Sequence, residues 1–469
     1  MAERAKPLTP EELEEQREYA RKIRELTDRP HTYHIITYGC QMNAHDSEIL
    51  AGMLGSMGLQ EAERDEADLV IFNTCCVRDN AERRALGNVT WLNEIKKKRP
   101  SMKIGVCGCM IQEPGMAEKI MKQYRFVDLA FGTADLYRFP QILTEALNSS
   151  STVIETGSPH RILEGLPVSR SRRESAYVSI MQGCDNFCTY CIVPYVRGRE
   201  RSRNASEILE EIRHLQEDGV MEIMLLGQNV NSYRSQDGVT FPELLSMVDR
   251  TGIRRIRFMT SHPKDLLPEL MEVMAGARHV LPQFHLPVQS GSNEILRRMN
   301  RQYTRETYLE RVEQLRRAIP GIGLTTDMMV AFPGETESQF QETLSLTDEV
   351  GFDSAFTFVY SPRVGTAAAR MENQIPPEEA SRRIQALIAL QERRQQEVMQ
   401  RFLGTEEEVL VEGMSRRSHQ QISGRGTHGL SVTFPGRAEQ IGTICRVRIT
   451  GVRNNTLVGR QTENEGAVS

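Results

Sequence analysis

At 469 residues, with 39% apolar side chains, the chain is long enough for about three domains, each with its own core. A formal charge of −5 excludes a globally basic coat for nucleic acid, so any RNA contact must come from local patches. No apolar run approaches the ~18 residues of a membrane helix and no apolar signal core opens the chain, so no membrane partner is expected. Nine scattered cysteines fit a reducing, cytoplasmic setting in which thiols serve metals or redox chemistry.

Residues 1–31 form a charged extension, and its stretch Glu11–Arg29 is expected to be a solvated helix. From 32 to 150, short β-branched runs alternate with amphipathic stretches. Strands are predicted at Tyr33–Tyr38, Leu69–Asn73, Lys103–Val106 and Val127–Phe131. Helices are predicted at Ser47–Met57, Asn80–Lys97, Gln112–Gln123 and Leu136–Leu147. Such alternation implies a doubly wound parallel sheet, whose ligands sit beyond the carboxyl ends of its strands. Cys40 follows the first strand, Cys75 and Cys76 the second, Cys107 and Cys109 the third. Thiols far apart in sequence thus converge on one sheet edge as a candidate three-thiolate site. Cys76 and Cys107 read as the structural pair, because Cys107 ends its strand whereas Cys109 starts the turn. Ordinary buried thiols are the competing reading.

Residues 151–176 read as a linker containing Ser169–Glu174 (SRSRRE). It leads to Cys184-Asp185-Asn186-Phe187-Cys188-Thr189-Tyr190-Cys191, three thiols spaced CxxxCxxC after the apolar run Tyr177–Met181. Thiolates suit iron–sulphur clusters or zinc. A zinc loop would take a fourth Cys or His close by, and none follows Cys191. Three ligands on a four-iron cluster leave one iron open to bind something else. The run Arg197–Arg203 (RGRERSR) lies just beyond and, with SRSRRE, suggests phosphate contact.

Between Tyr177 and Leu403, six strand–helix units are predicted. Their strands are Tyr177–Met181, Glu222–Leu226, Ile256–Thr260, Gln283–Pro287, Leu324–Val330 and Ser354–Tyr360, with helices including Ala205–Glu217, Thr304–Ile319 and Glu337–Val350. Six units are too few to close an eightfold barrel, so an open (β/α)6 barrel is expected. Its carboxyl-end loops would carry the cysteine loop, Gly227-Gln228-Asn229, Ser261-His262, Gln289-Ser290-Gly291 and Pro333-Gly334-Glu335, a polar rim suited to a nucleoside cofactor. Pro377–Phe402 is a charged helix leading out. Five short strands between Glu406 and Arg460 predict a small antiparallel barrel, whose Phe402–Arg460 stretch holds eight Arg against five Glu. The domains expected are therefore an extension (1–31), an α/β domain (32–150), a linker (151–176), a (β/α)6 core (177–402), a β-barrel (403–463) and a disordered tail (464–469).

The ordered motifs YGCQMNAHDSE (Tyr38–Glu48), NTCCVRDNAERR (Asn73–Arg84), GCDNFCTYCIVPYVRGRERSR (Gly183–Arg203), LLGQNVNSY (Leu225–Tyr233), FHLPVQSGSN (Phe284–Asn293), FPGETE (Phe332–Glu337) and YSPRVGT (Tyr360–Thr366) resemble the bacterial methylthiotransferases, a family of radical S-adenosylmethionine enzymes. The resemblance spans about Thr32 to Arg460. It implies an α/β; doubly wound parallel-sheet N-terminal domain, a partial (β/α)6 radical-SAM barrel and a small C-terminal antiparallel β-barrel of the TRAM type. It implies two [4Fe–4S] clusters, one on Cys184, Cys188 and Cys191 with the aromatic Tyr190 before the third, and an auxiliary one on Cys40, Cys75 and Cys109. Two molecules of S-adenosylmethionine per turnover are implied. Tyr190, Gly227, Gln228, Asn229, Gln289, Ser290, Gly334 and Glu335 are the candidates to contact this cofactor. No single catalytic side chain is assigned, because clusters and cofactor do the chemistry.

The family chemistry implies a 5′-deoxyadenosyl radical at the first cluster and methylated sulphur delivered from the second. GCQMN and FHLPVQSGS look like the branch that acts on carbon 2 of N6-isopentenyladenosine beside the tRNA anticodon. Sister branches act on threonylcarbamoyladenosine in tRNA or on an aspartate of a ribosomal protein. A different class, a non-catalytic iron–sulphur protein that binds RNA or passes electrons, would not need the nucleoside rim. The partners implied are a tRNA anticodon stem-loop carrying isopentenyladenosine and a low-potential electron donor such as flavodoxin or ferredoxin. A monomer is expected.

Overall fold

The computed structural model describes residues 6–462 apart from 77–78, 159, 416–417 and 419, and for 79–81 the backbone alone. The expected tail at 464–469 lies outside the described residues, as do Val77 and Arg78 of the second cysteine motif.

The first domain is built on six parallel strands, in the spatial order Gln60–Glu61, Thr32–Tyr38, Leu69–Thr74, Lys103–Cys107, Leu129–Phe131 and Val153–Glu155. The chain runs from Thr32–Tyr38 outward to the edge and returns on its other side at Leu69–Thr74. The loops after these two neighbours therefore diverge and open a crevice at their carboxyl ends. Leu69–Thr74 is buried along its whole length, as a central parallel strand must be. Its alternate residues feed two cores: Leu69 and Ile71 pack with Leu50, Leu54 and Phe131, whereas Val70 and Phe72 pack with Val89, Leu92 and Val106.

Three local expectations change. The helix predicted at Ser47–Met57 spans Gln41–Ser56, so Cys40 is its N-cap residue; the polar run Gln41–Asp46 concealed that early start. Val153–Glu155, in the stretch read as linker, is the sixth strand, pairing Leu129 with Val153. The helix expected in the extension is present but is not solvated all round. Helix Pro10–Glu25 is capped by a reciprocal Thr9–Glu12 box and buries Gln16, Ala20 and Ile23 on the side of helix Phe139–Asn148. Those three follow an i, i+4, i+7 stripe, narrow enough to vanish among charged neighbours in a composition count. Upstream, Lys6–Pro7 pairs in parallel with Arg161–Ile162.

The second domain carries six parallel strands that neighbour one another in chain order. Ser175–Ser179, Glu222–Leu226 and Arg255–Phe258 form one ladder; Gln283–His285, Gly323–Val330 and Ser354–Val359 form the other. An Ile256–Val280 bridge joins them. The first and last strands share no ladder, so the barrel is open between them. Helices Ala205–Glu217, Phe241–Asp249, Pro268–Gly276, Arg305–Ala318 and Glu337–Val350 cover the outside, and Pro377–Met399 crosses the last strand.

The third domain is a closed barrel in the order Glu406–Met414, Gln421–Arg425, Ser431–Pro435, Thr456–Gln461 and Ile444–Arg453. Four junctions are antiparallel and one, pairing Val432 with Leu457, is parallel. Five is an odd number, so strict alternation of direction cannot close the ring, and one parallel seam is unavoidable. The expected α/β, open-barrel and β-barrel classes are all present.

The terminal barrel is locked to the floor of the open barrel by two buried arginines. Glu222 Oε2 pairs with Arg255 Nε at 2.8 Å and Arg257 Nε at 2.9 Å. Burial would raise the Glu222 carboxyl, but the guanidiniums of Arg257 and Arg255 outweigh it and hold the group below its usual range. Arg255 donates onward to the carbonyls of Glu408, Arg425 and Gly426, and Arg257 to that of Gly426. Glu222→Ala strands two buried cations and is expected to cost about 3–5 kcal/mol. A lowered thermal midpoint, with faster proteolysis between the two domains, is the measurable result; an unchanged midpoint would show that the barrel docks by other means.

Candidate active site

The CxxxCxxC loop is held open by backbone bonds at both ends. Met181–Gln182 pairs antiparallel with Arg201–Ser202, and Cys184 N donates to Gly198 O at 3.1 Å. Asp185 and Glu200 each accept the other's backbone N–H. Gly183 has φ +81°, and a Cβ there would lie 2.0 Å from Arg199 O, so only glycine fits. In the middle, Thr189 N donates to Met299 O while Thr189 O accepts from Ala368 N. Burial pushes Cys184 up to about 11 and Cys191 up to about 12. Ligation of metal by these thiols must therefore release protons.

Arg301, which the sequence reading missed, supports this loop. Its Nη1 lies 3.5 Å from Cys188 Sγ and 3.4 Å from the Tyr190 hydroxyl, and Nη2 donates to Pro287 O at 2.8 Å. Asn186 Nδ2 lies 3.5 Å from Cys184 Sγ. Tyr190 itself packs on the cluster of Phe332, Tyr360 and Met371.

Four non-glycine residues around the rim adopt left-handed backbone: Phe187 (+45°), Thr260 (+69°), Gln289 (+70°) and Ala331 (+60°). The last three follow the carboxyl ends of three barrel strands, and strain of this kind collects at functional sites. Several buried polar atoms here have no partner: Ser261 Oγ, His262 Nε2, Gln289 Oε1 and both side-chain atoms of Asn231. His262 is held neutral, its pKa lowered to about 2 by burial and by Arg301. Its Nδ1 accepts from Lys264 N at 3.3 Å, which leaves the proton on the unpartnered Nε2. A ring of unsatisfied polar atoms fits a polar cofactor better than a dry core.

The other rim candidates divide into two groups. Gly227 passes so close to the strand Met181–Gln182 that a Cβ would meet Met181 Cγ at 2.6 Å. Gln228 Oε1 accepts from Gly183 N, tying the second rim loop to the cysteine loop. Asn229 accepts from His262 N and donates to Asp265, so its amide is consumed in positioning the rim. Ser290 bonds Thr343 on helix Glu337–Val350. Gly334 and Glu335 also serve the scaffold: Glu335 accepts from Ala331 N and pairs with Arg383 at 2.8 Å. Gln289 and Glu335 each keep one buried oxygen unpartnered, and of the two only Glu335 is also held by an arginine.

The second cysteine set lies at the crevice of the first domain. Cys40 caps helix Gln41–Ser56, Cys75 and Cys76 follow Leu69–Thr74, and Cys109 follows Lys103–Cys107. A Cβ on Gly39 would meet Cys75 Cβ at 2.7 Å, and one on Gly108 would meet Asn73 Oδ1 at 2.4 Å. Both glycines are the condition for the thiols to approach. Hydrogen bonds from Cys75 to the other two bring Cys40 down to about 6 and hold Cys109 well below its usual range, with Cys76 and Arg197 adding to the latter. Cys75 and Cys76 are correspondingly raised. Cys107 turns into the apolar core, whereas Cys76 touches Cys109.

The two sets are neighbours. Ile192, the N-cap of the short helix Val193–Val196, and Val196, its last residue, pack on Cys76 and Cys109. Arg197 Nε donates to Cys109 Sγ at 3.2 Å, and Gln41 Nε2 reaches Met259 Sδ across the rim at 3.5 Å. The first domain thus covers the carboxyl face of the open barrel. Among the described residues, no three His, Cys, Asp or Glu side chains close to the spacing of a single metal ion. Three thiols on one cradle suit a polynuclear cluster.

The phosphate-contact reading of Arg197–Arg203 is corrected. Arg197, Arg201 and Arg203 are buried. Arg201 donates to the carbonyls of Arg161, Arg197 and Arg199, and Arg203 pairs with Glu164 and Glu211. Arg199 is exposed, but pairs with Asp185 and lies over the Phe187 ring. Their partners lie far off in sequence, which is why charge alone misled. In SRSRRE, Arg170 pairs with Asp218 and Arg172 with Glu412.

The open barrel with its CxxxCxxC loop is the architecture of the radical S-adenosylmethionine enzymes. Family models match accordingly: the Radical SAM superfamily over residues 178–347, "Uncharacterized protein family UPF0004" over 32–132 and the TRAM domain over 400–461. A fold likeness exists to a radical S-adenosylmethionine methyltransferase, TsrM from Kitasatospora setae, solved with tryptophan and a cofactor analogue. Its TM-score is 0.52 at 14% identity, over 72% of this chain and 75% of that one. Far nearer in sequence are proteins named tRNA-2-methylthio-N(6)-dimethylallyladenosine synthase. The Acetivibrio thermocellus protein is 47% identical over 96% of this chain and 97% of its own. That of Caldicellulosiruptor saccharolyticus is 52% identical over 83% of each. The chain belongs to this family of radical S-adenosylmethionine methylthiotransferases.

The shifted thiols allow a test on metal-free protein. Under anaerobic conditions, exposed Cys40 should alkylate with iodoacetamide along a profile centred near pH 6, because its thiolate forms above that value. Cys184 and Cys191 should stay unreactive until well above pH 9, since burial favours their protonated forms. Mapping by mass spectrometry reads both, and a common profile for all three would contradict the arrangement.

Proposed function

We propose that this chain methylthiolates carbon 2 of N6-isopentenyladenosine beside the tRNA anticodon, with one [4Fe–4S] cluster on Cys184, Cys188 and Cys191 and an auxiliary one on Cys40, Cys75 and Cys109. The observation that carries this reading is the meeting of two three-thiol sets across Ile192–Arg197. Together with the family membership, it favours a sulphur-inserting enzyme over a non-catalytic iron–sulphur protein. The names of the relatives favour the isopentenyl branch over its sisters. When bound, the clusters and S-adenosylmethionine supply the one-electron chemistry, sulphur and methyl group that unactivated carbon 2 demands.

The chain's own residues then position and enclose. Arg301 holds the thiol and phenol of Cys188 and Tyr190 in register. Ser261, His262, Gln289 and Asn231 offer their free polar atoms to the nucleoside and amino-acid ends of the cofactor. The last barrel strand supplies a surface the sequence reading missed. Ala355 and Val359 pack on the core, so Phe356 and Phe358 face the other way and remain exposed, beside Asp327 in the neighbouring strand. An aromatic pair at the open seam suits a splayed purine and its prenyl chain. The alternation in AFTFV was the available signal. The terminal barrel turns Arg446 and Arg448 outward from one strand; their partners Glu408 and Glu406 are themselves solvent-exposed, at 4.0 Å and 2.8 Å, so both guanidiniums can exchange these contacts for phosphates. A low-potential flavodoxin or ferredoxin as electron donor, a monomeric state and a cytoplasmic location complete the proposal.

Two experiments test it. Anaerobic reconstitution should yield about eight irons per chain, from two four-iron clusters. Cys191→Ala should abolish 5′-deoxyadenosine and methylthiolated tRNA together. Cys109→Ala should abolish methylthiolation while some 5′-deoxyadenosine still forms, with iron near half and circular dichroism unchanged. Persisting methylthiolation in Cys109→Ala, read by nucleoside mass spectrometry, would remove the auxiliary site.

Binding of tRNA should weaken with salt, and Arg446→Glu with Arg448→Glu should lower affinity and flatten the salt slope by about one for each phosphate no longer neutralised. An unchanged slope would take the terminal barrel out of RNA recognition.

A further inference from the structure

Arg197 belongs to one cysteine set by sequence and to the other by contact. It follows Cys191 closely in the chain, yet its Nε donates to Cys109 Sγ at 3.2 Å and its Nη2 reaches Asp46 Oδ2 at 2.6 Å. Both side chains of this pair are 5% exposed. The backbone is equally fixed, since Arg197 N donates to Val193 O and Arg197 O accepts from Arg201 Nη1. Burying a full charge is costly, and an apolar side chain would suit the packing of Ile192 and Val196 against Cys76 and Cys109 just as well. The guanidinium therefore calls for an electrostatic role.

We propose that Arg197 is a positioning residue that sets the reduction potential of the cluster held by Cys40, Cys75 and Cys109, and that Asp46 trims its effect. This rests on the ligand assignment proposed above. Reduction adds one electron from an external donor; no bond forms or breaks, and the cluster with its thiolates becomes more negative by one charge. A guanidinium hydrogen-bonded to a ligand sulphur in a low-dielectric site stabilises that extra charge and raises the potential. The carboxylate of Asp46, bonded to Nη2 of the same guanidinium, opposes it. Because Arg197 extends from the loop of the other cluster, any displacement of that loop also moves the charge beside Cys109.

The experiment uses the full chain carrying Cys184→Ala, Cys188→Ala and Cys191→Ala, so that a single cluster contributes the signal. Iron content and an electron paramagnetic resonance redox titration are measured after anaerobic reconstitution. With about four irons retained, as one cluster requires, Arg197→Gln should move the midpoint to more negative potential and Asp46→Asn to more positive. Arg197→Lys, which keeps the charge but not the planar fork, should shift less than Arg197→Gln. Opposed signs distinguish electrostatics from general loosening, which would move both variants alike. Iron near four with an unchanged midpoint in Arg197→Gln overturns the proposal and leaves the ligand assignment standing. Should Arg197→Gln lose its iron, an unchanged midpoint in Asp46→Asn with about four irons retained overturns it instead. A parent that takes up no iron, while the unsubstituted chain takes up about four, overturns the ligand assignment and this inference with it.

Discussion

A buried guanidinium must be paired, and that constraint governs how this molecule is assembled. Arg197 leaves the open barrel and finds its carboxylate, Asp46, on a helix of the first domain. Removing either partner would strand the other charge in a closed interface, where an unpaired buried ion costs several kcal/mol. The same device recurs at the opposite end. Arg255 and Arg257 rise from one strand of the barrel, pair with Glu222 on the next, and direct their remaining donors to carbonyls of the terminal barrel. Arginine suits both places because its planar fork can satisfy two partners at once without losing its charge. Three domains are thereby joined by geometry that tolerates little sliding, and the two cysteine sets inherit that precision.

The open seam of the barrel is the other organising feature. A sheet edge normally invites unwanted pairing, and here both edges are left without ladder partners, at Ser175–Ser179 and Ser354–Val359. The last strand is crossed by helix Pro377–Met399 on its outer face, while Phe356 and Phe358 stay uncovered on the other. Beyond that strand, Arg363 pairs with Glu82 of the first domain at 3.6 Å. That pair ties the chain beyond the seam to the domain that carries the second cysteine set.

Much of this was legible in the chain itself. Parallel strands announced themselves as short β-branched runs at helical spacing, and three helices of the barrel match their predicted limits or fall within a residue of them. The convergence of Cys40, Cys75, Cys76, Cys107 and Cys109 on one edge followed from topology, because loops after adjacent parallel strands share that edge; the choice of three among them came from the family resemblance. What stayed hidden was pairing over long separation. Arg203 looked free to meet phosphate because Glu164 and Glu211 belong to other elements, and Arg301 carries no local hint that it faces Cys188 across more than a hundred residues. Burial of charge is a tertiary property, and a one-dimensional count of Lys and Arg cannot see it. The stripe Gln16, Ala20, Ile23 failed for a related reason: one polar and one small residue sit where a strong apolar signal would be expected.

The cradles around the two sets also bear on what metal does for this fold. In a zinc finger the ion supplies the closure, and the chain unfolds without it. Here closure comes from the protein. The cysteine loop at Gly183 is zipped by Asp185 and Glu200, strung between Met299 and Ala368, and backed by Arg301. The other set hangs on a six-stranded sheet, with Asn73 bonded to Asn43 O and Ser47 beneath it. At Gly39, Gly108 and Gly183 a single added carbon would collide with neighbouring atoms, so the space around the thiols is shaped by protein contacts. A cluster bound by such a loop would cost little ordering entropy, and its binding energy would remain available to hold thiolates such as those of Cys184 and Cys191 in the charged state that burial otherwise opposes.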